Sequence, residues 1–227
     1  MQRAIVTGSS SGIGLAIAQH LLEQGWAVAG FDVAPARINH PSFNAVQLDL
    51  CDSVATERAA RGIEASAFVH AAGVLRVGRL GNVQAADAQL MWQLHVNALT
   101  CIANIVVPLM AVAGSGRVVI IGSRVAQGLA GRSQYAATKA ALVSLARSWA
   151  AEVVASGVTI NVVSPAATQT AMLDDPARQT ASPRLPPIGR LIQPAEIASL
   201  VSYLLSPAAA AITGQDLQIC GGASLNY

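Results

Sequence analysis

The sequence predicts one doubly wound α/β domain on a seven-stranded parallel sheet, and three observations predict it. Short, fully apolar runs alternate with alanine-rich helical stretches from end to end. Strands of that kind are buried on both faces and need helices above and below them. A glycine-rich turn, Thr7-Gly8-Ser9-Ser10-Ser11-Gly12-Ile13-Gly14, closes the first run, and an acidic residue, Asp32, closes the second.

The elements follow in order. Ala4 to Thr7 reads as the first strand; Gly12 to Gln24 has helical spacing and stops at Gly25. Ala27 to Phe31, Ala45 to Leu48 and Ala67 to His70 supply three more strands, and Val118 to Ile121, Thr159 to Val163 and Leu217 to Cys220 complete the seven. Helices fill the gaps at 53–63, 84–112, 134–155 and 194–205. No repeat or linker divides the chain, so residues 1–227 form a single domain, and the Pro-rich segment from Ser182 to Pro187 falls in a short substrate flap at about 171–190.

Composition narrows the function. Apolar residues make up 53% and charged residues 11% of the chain, enough for a large core and a buried subunit interface. The formal charge is +2 with scattered arginines, which argues against a nucleic-acid surface. The longest apolar stretch, Val96 to Ala113, is broken by Asn97, Asn104 and Pro108. It reads as a buried or interface helix, since a membrane span needs about 20 nearly uninterrupted apolar residues. Cys51, Cys101 and Cys220 are dispersed and suit reduced thiols in the cytoplasm, and the start of the chain shows no signal peptide. His20, His40, His70 and His95 show no metal-ligand spacing, so no metal is expected.

The glycine loop lies between a strand and a helix, where glycines let the backbone approach a pyrophosphate and a helix N-terminus offers free N–H groups. Gly8, Ser10, Ser11, Gly12, Ile13 and Gly14 are therefore candidate contacts to a dinucleotide. Asp32, 18 residues after Gly14, is placed to accept from ribose hydroxyls and to repel a 2′-phosphate, which favours NAD over NADP. Arg37 nearby softens that preference. Asp49 is a candidate partner for the adenine amino group, with a plain helix cap as the alternative.

The chain has one lysine, Lys139, against thirteen arginines, and it stands four residues after Tyr135. On a helix the two lie on one face. A neighbouring cation favours phenolate, and moving a phenol from ~10 to about 7 takes roughly 4 kcal/mol, which one charge ~4 Å away supplies at an effective dielectric of about 20. Such a tyrosine passes a proton at neutral pH.

Together the glycine loop and the Tyr-x-x-x-Lys pair resemble the short-chain dehydrogenase/reductase family, in its compact single-domain branch with a Rossmann fold. Thr7 to Gly14 match its Thr-Gly-x-x-x-Gly-x-Gly. His70-Ala71-Ala72-Gly73 match Asn-Ala-Ala-Gly, and Val96-Asn97-Ala98 carry its helix asparagine. Ser123 matches its serine, and Asn161 to Ala166 with Thr170 match the later stretch. The resemblance implies that Tyr135 is the general acid/base, Lys139 binds the nicotinamide ribose, Ser123 holds the substrate oxygen and Asn97 anchors a water leading to the lysine. It further implies cofactor contacts at Val33, Leu50, Ala71, Ala72, Gly73, Pro165, Ala166, Thr168 and Thr170, and a homotetramer or homodimer. His70 stands where the family has asparagine and is read as a structural donor. Ala166 stands where glycine is usual, and Ser123 precedes Tyr135 by one residue fewer than usual.

The expected activity is hydride transfer between NAD and a secondary alcohol or ketone. The substrate class is open. Gly30 to Asp32, Ala71 to Gly78 and Gly221 to Leu225 are similar to 2,3-dihydro-2,3-dihydroxybenzoate dehydrogenases, whereas Gly189-Arg190-Leu191 is similar to 3-oxoacyl-carrier-protein reductases. Arg76, Arg124, Arg132 and Arg184 fall in segments that border the family's pocket, where an arginine clamps a carboxylate or phosphate. A non-catalytic dinucleotide sensor would keep the glycine loop without needing Ser123, Tyr135 and Lys139. A sugar-nucleotide epimerase would need more chain than follows Thr170.

Overall fold

The computed structural model describes residues 2–173 and 185–225. Seven strands, β1 (Arg3–Thr7), β2 (Ala27–Asp32), β3 (Phe43–Gln47), β4 (Ala67–His70), β5 (Gly116–Ile121), β6 (Val158–Pro165) and β7 (Asp216–Ile219), form one sheet in the order β3-β2-β1-β4-β5-β6-β7. Every pairing is parallel. The third strand begins at Phe43 rather than Ala45 and ends before Leu48. It is an edge strand, and its half-exposed alternation lacks the all-apolar signature of the central ones.

Alternation within each strand sends neighbours to opposite faces. Ile5, Phe68, Val118, Ile120 and Ile160 pack on one side beneath the helices α4 (Ala98–Val112) and α5 (Ser133–Val153), with α2 (Ser53–Arg61) at its edge. Val6, Val69, Val119, Ile121 and Val163 pack on the other beneath α1 (Gly12–Glu23) and α6 (Pro194–Leu205). Fully burying one such Val, Leu or Ile contributes about 1.5–3 kcal/mol, so the two apolar faces hold the layers together.

One long helix was expected over 84–112. The structure divides it into α3 (Ala85–Trp92), a π-helical turn (Gln93–Asn97) and α4. In the π turn the Ala98 N–H bonds the Gln93 carbonyl five residues back. A π turn inserts one residue into an α-helix and rotates the faces on either side of it. The whole stretch Ala85–Val112 is long and apolar enough to cross a membrane, but half of its most apolar part is buried inside the protein, with Leu99, Ile102 and Val106 in the core.

The strand order reverses direction between β1 and β4. In doubly wound sheets ligands bind outside the carboxyl ends of the strands at such a switch point. Thr7, Asp32, His70, Ile121 and Pro165 all end their strands on this side.

Candidate active site

The glycine loop leaves β1 at Thr7 and enters α1 at Gly12. Gly8 has φ +71°, and a Cβ there would come 2.9 Å from the Ala72 amide nitrogen. A Cβ at Gly14 would overlap the Gly8 carbonyl. These positions admit only glycine, because the turn packs backbone on backbone. Ser11, the N-cap residue of α1, makes no side-chain cap bond, so the first-turn amides of Gly12, Ile13 and Gly14 are left for an anion. Ser10 donates its N–H to Asp32 Oδ2 at 2.8 Å, and Ala34 donates to Oδ1 at 2.9 Å. The acid thus braces the loop while standing at its mouth. Val33 beside it is 66% exposed. Thr170 lies over the same loop, with its Cγ2 3.2 Å from where a Gly12 Cβ would be.

Other expected cofactor residues are placed as follows. Asp49 is exposed and accepts from the Cys51 N–H at 2.9 Å; the cap of α2 is Asp52, not Asp49. The Leu50 side chain is buried in the core. The Ala71 and Ala72 amides both donate to Thr7 Oγ1 at 3.1 Å. Thr168 is buried and donates to the Ala166 carbonyl, on the segment that follows Pro165. Ala166 needs no glycine: among the described residues every positive φ belongs to glycine, so this turn is made without the left-handed conformation.

Ser123 caps a 3-10 turn (Arg124–Gln127) that fills the shortened connection to α5. Its Oγ accepts from the Val125 N–H at 3.2 Å, which leaves the hydroxyl proton to donate elsewhere. Tyr135 and Lys139 fall on successive turns of α5. Tyr135 is half-buried and Lys139 is buried, with Nζ donating to the Ile121 carbonyl at 2.8 Å and lying 5.8 Å from the Tyr135 ring centre. No carboxylate pairs with Lys139 in an ion bridge among the described residues. Burial lowers its pKa to about 8.

Asn97 is exposed on the π turn, and its amide donates to Gln93 Oε1 at 2.7 Å. The π turn brings His95 inward instead. His95 is fully buried, its ring edge-to-face with Tyr135 at 5.7 Å. The only warning in the sequence is an imidazole inside an otherwise apolar helical run, two residues before Asn97. His70, read as a structural donor, also accepts through Nδ1. Both lone pairs of Thr7 Oγ1 are taken by Ala71 and Ala72, so the Thr7 hydroxyl must donate to His70 Nδ1 at 3.0 Å. His70 Nε2 then carries the proton and has no partner at bonding distance; the Leu94 and His95 carbonyls of the π turn face it. Burial, then the Lys139 charge, lowers the His70 pKa to about 3.

Arg76 and Arg132 line a small cleft with Asp87 and Gln134 beside the site, and Arg124 is half-buried on the 3-10 turn. Arg184 and most of the expected flap lie outside the described residues. Arg190 pairs bidentately with Glu196 at 2.7 and 2.8 Å on the surface. Among the described residues no cluster of His, Cys, Asp and Glu could hold a metal.

A glycine turn closed to side chains, an acid beside it and a buried lysine one helical turn from a tyrosine are arranged as an oxidoreductase site would need. The chain belongs to the short-chain dehydrogenase/reductase family. A family profile described as enoyl-(acyl carrier protein) reductase matches residues 8–224. The 3-oxoacyl-[acyl-carrier-protein] reductase of Vibrio cholerae serotype O1 is 34% identical over 96% of both chains. The 2,3-dihydro-2,3-dihydroxybenzoate dehydrogenase of Escherichia coli is 32% identical over 97% of this chain and 96% of the relative. A solved short-chain dehydrogenase/reductase family protein superposes with a TM-score of 0.91 at 33% identity, covering 99% of this chain and 98% of that one. An actinorhodin polyketide ketoreductase solved with NADPH gives 0.87 at 25%, again over 99% and 98%.

Proposed function

We propose that this oxidoreductase interconverts a secondary alcohol and its ketone with NAD as the preferred cofactor. One observation carries the reading: Lys139, buried without an acidic partner, sits one turn from Tyr135 and donates to the last carbonyl of β5, two residues before Ser123. A buried unpaired ammonium is costly, and its electrostatic effect on a neighbouring phenol is the chemical return.

The donor set fits a dinucleotide. Gly8 and Gly14 keep the turn free of side chains, Ser11 leaves the α1 terminus without a side-chain cap, and Ser10, Ser11, Gly12 and Ile13 would border the phosphates there. Asp32 would meet the adenosine ribose and disfavour a 2′-phosphate. Val33, Asp49 and Leu50 would border the adenine, and Ala71, Ala72, Gly73, Pro165, Ala166, Thr168 and Thr170 the nicotinamide half. When bound, the nicotinamide supplies or takes the hydride. The chain then has one proton to manage: Ser123 donates its free hydroxyl proton to the substrate oxygen as a hydrogen bond, and Tyr135 gives or takes the reacting proton. Lys139 favours the ionised phenol and holds the ribose side of the site.

For the substrate, the similarity to an acyl-carrier reductase and to a dihydrodiol dehydrogenase supports two classes, a 3-oxoacyl thioester and a cyclic diol. The ketoreductase solved with NADPH sets NADP as the competing cofactor, against which Asp32 argues. Exposed Leu90, Trp92, Leu109 and Val112 on the α3–α4 segment support a homo-oligomer, dimer or tetramer, and three free cysteines support a cytoplasmic setting. The test is NADH absorbance with purified protein, NAD or NADP, and a panel of secondary alcohols, cyclic diols and 3-hydroxyacyl thioesters. Turnover faster with NAD than NADP supports the reading; NADH binding with no turnover across the panel overturns it.

A further inference from the structure

His95 lies outside every motif described above, yet it contacts Tyr135, the Thr138 hydroxyl and the Val74 amide. Thr138 Oγ1 donates its one proton to the Tyr135 carbonyl at 2.9 Å. Its 2.8 Å contact with His95 Nδ1 therefore has the imidazole as donor. The Val74 N–H donates to His95 Nε2 at 3.0 Å. Both ring nitrogens are used, and the bookkeeping admits only the neutral Nδ1–H tautomer. A second proton would remove the acceptor of Val74 and put another cation beside Lys139.

Space is as tightly used as the hydrogen bonds. A Cβ at Gly73 would come 3.1 Å from His95 Nε2 and 3.7 Å from Lys139 Nζ. The ring stands at 87° to Tyr135, so its position limits how the phenol ring can turn. The titratable groups facing it are Tyr135 and Lys139 from α5 and His70 from β4. The π turn makes this placement possible, since it rotates His95 inward while Asn97 turns to solvent. π turns of this kind concentrate at functional sites.

We propose that His95 is a positioning residue: a permanently neutral imidazole that ties the Val74 loop to the α5 turn bearing Tyr135 and sets the orientation of the phenol. This rests on the acid/base assignment to Tyr135. The two links are separable. His95→Asn keeps a donor near Thr138 and loses the Val74 link; His95→Gln keeps an acceptor near Val74 and loses the Thr138 link; His95→Phe keeps the ring and loses both.

The experiment has two arms. In the intact protein, imidazole ¹⁵N shifts read the tautomer directly: His95 stays Nδ1–H and neutral from pH 8 down to 5. An Nε2–H tautomer or a titration in that interval overturns the proposal without any need for a substrate. In the second arm, turnover is measured on a cyclic diol or a 3-hydroxyacyl thioester, whichever the wild type accepts. His95→Phe is expected to lower kcat up to ~10²-fold, the cost of a small misplacement, with NADH affinity by fluorescence within threefold. His95→Asn recovers most of that kcat but raises KM, and His95→Gln does the reverse. Equal losses in all three that track Tm, or kcat and its pH profile unchanged in all three, overturn the positioning role. Tyr135→Phe measured alongside separates the two claims: turnover surviving there sinks the acid/base assignment itself.

Discussion

Lys139 Nζ lies 5.8 Å from the centre of the Tyr135 ring and donates to the Ile121 carbonyl at 2.8 Å, inside a pocket where burial lowers its pKa to about 8. The ammonium donates to a backbone carbonyl rather than to a carboxylate, and the buried imidazoles of His70 and His95 feel its charge. An acid partner would offset its charge at the phenol. The arrangement keeps the cation's field for Tyr135, and the fold bears the cost.

That cost is measurable. The lysine is charged in both folded and unfolded chains below pH 8, where burial disfavours the folded form by on the order of 3 kcal/mol. As pH rises from 8 to 10.5 the folded group loses its proton first, so this penalty fades and stability from this group increases. Lys139→Met is expected to raise the Tm at pH 7 by a few degrees and to lose that advantage near pH 10. The variant is also expected to be inactive. Thermal melts at the two pH values check the first statement and NADH absorbance the second.

Tyr135→Phe is expected to lower kcat by about 10²–10⁴-fold, the usual contribution of a positioned acid/base. The ring and its contact with His95 are retained, so NADH affinity by fluorescence should stay within threefold. Full turnover in this variant would remove the proton-transfer role.

Asp32→Ala removes the acceptor of the Ser10 and Ala34 amides as well as the expected ribose partner. Bonds to a charged acceptor are worth about 1.5–3 kcal/mol, so NAD should bind roughly 10- to 100-fold more weakly. NADP should gain relative to NAD, because the repelling charge is gone. A ratio of the two dissociation constants equal to that of the wild type would place the ribose elsewhere.

Acid should unfold this protein through its buried histidines. His70 has a folded pKa of about 3 against an ordinary 6.5, with burial the larger cause and Lys139 the second. Above pH 6.5 the group is neutral in both states and contributes no slope. As pH falls from 6.5 toward 3 the unfolded chain takes up the proton and the folded chain does not, so stability drops by on the order of 5 kcal/mol from this group. His70→Asn, which restores the family's residue, should flatten denaturant midpoints between pH 6.5 and 4. An identical slope in the variant would assign acid unfolding to other groups.

What the sequence determined by itself is the frame and the local geometry of the candidate site. The alternation of buried runs and helices, the glycine turn and Asp32 depend on neighbours a few residues apart, so local pattern carries them, and the observed strand order agrees. The Tyr135–Lys139 spacing is likewise a property of one helix. The edge strand β3 was less legible, because a half-exposed strand lacks the continuous apolar run of the central ones. The helix over 84–112 looks uninterrupted in the sequence because no glycine or proline marks the π turn at Gln93–Asn97. That single insertion decided which side chain enters the site. It turned Asn97 to solvent and His95 inward. The roles of His70 and His95 as acceptors were beyond the sequence for a related reason: a tautomer is set by hydrogen bonds to Thr7, Val74 and Thr138, which lie 63, 21 and 43 residues away along the chain.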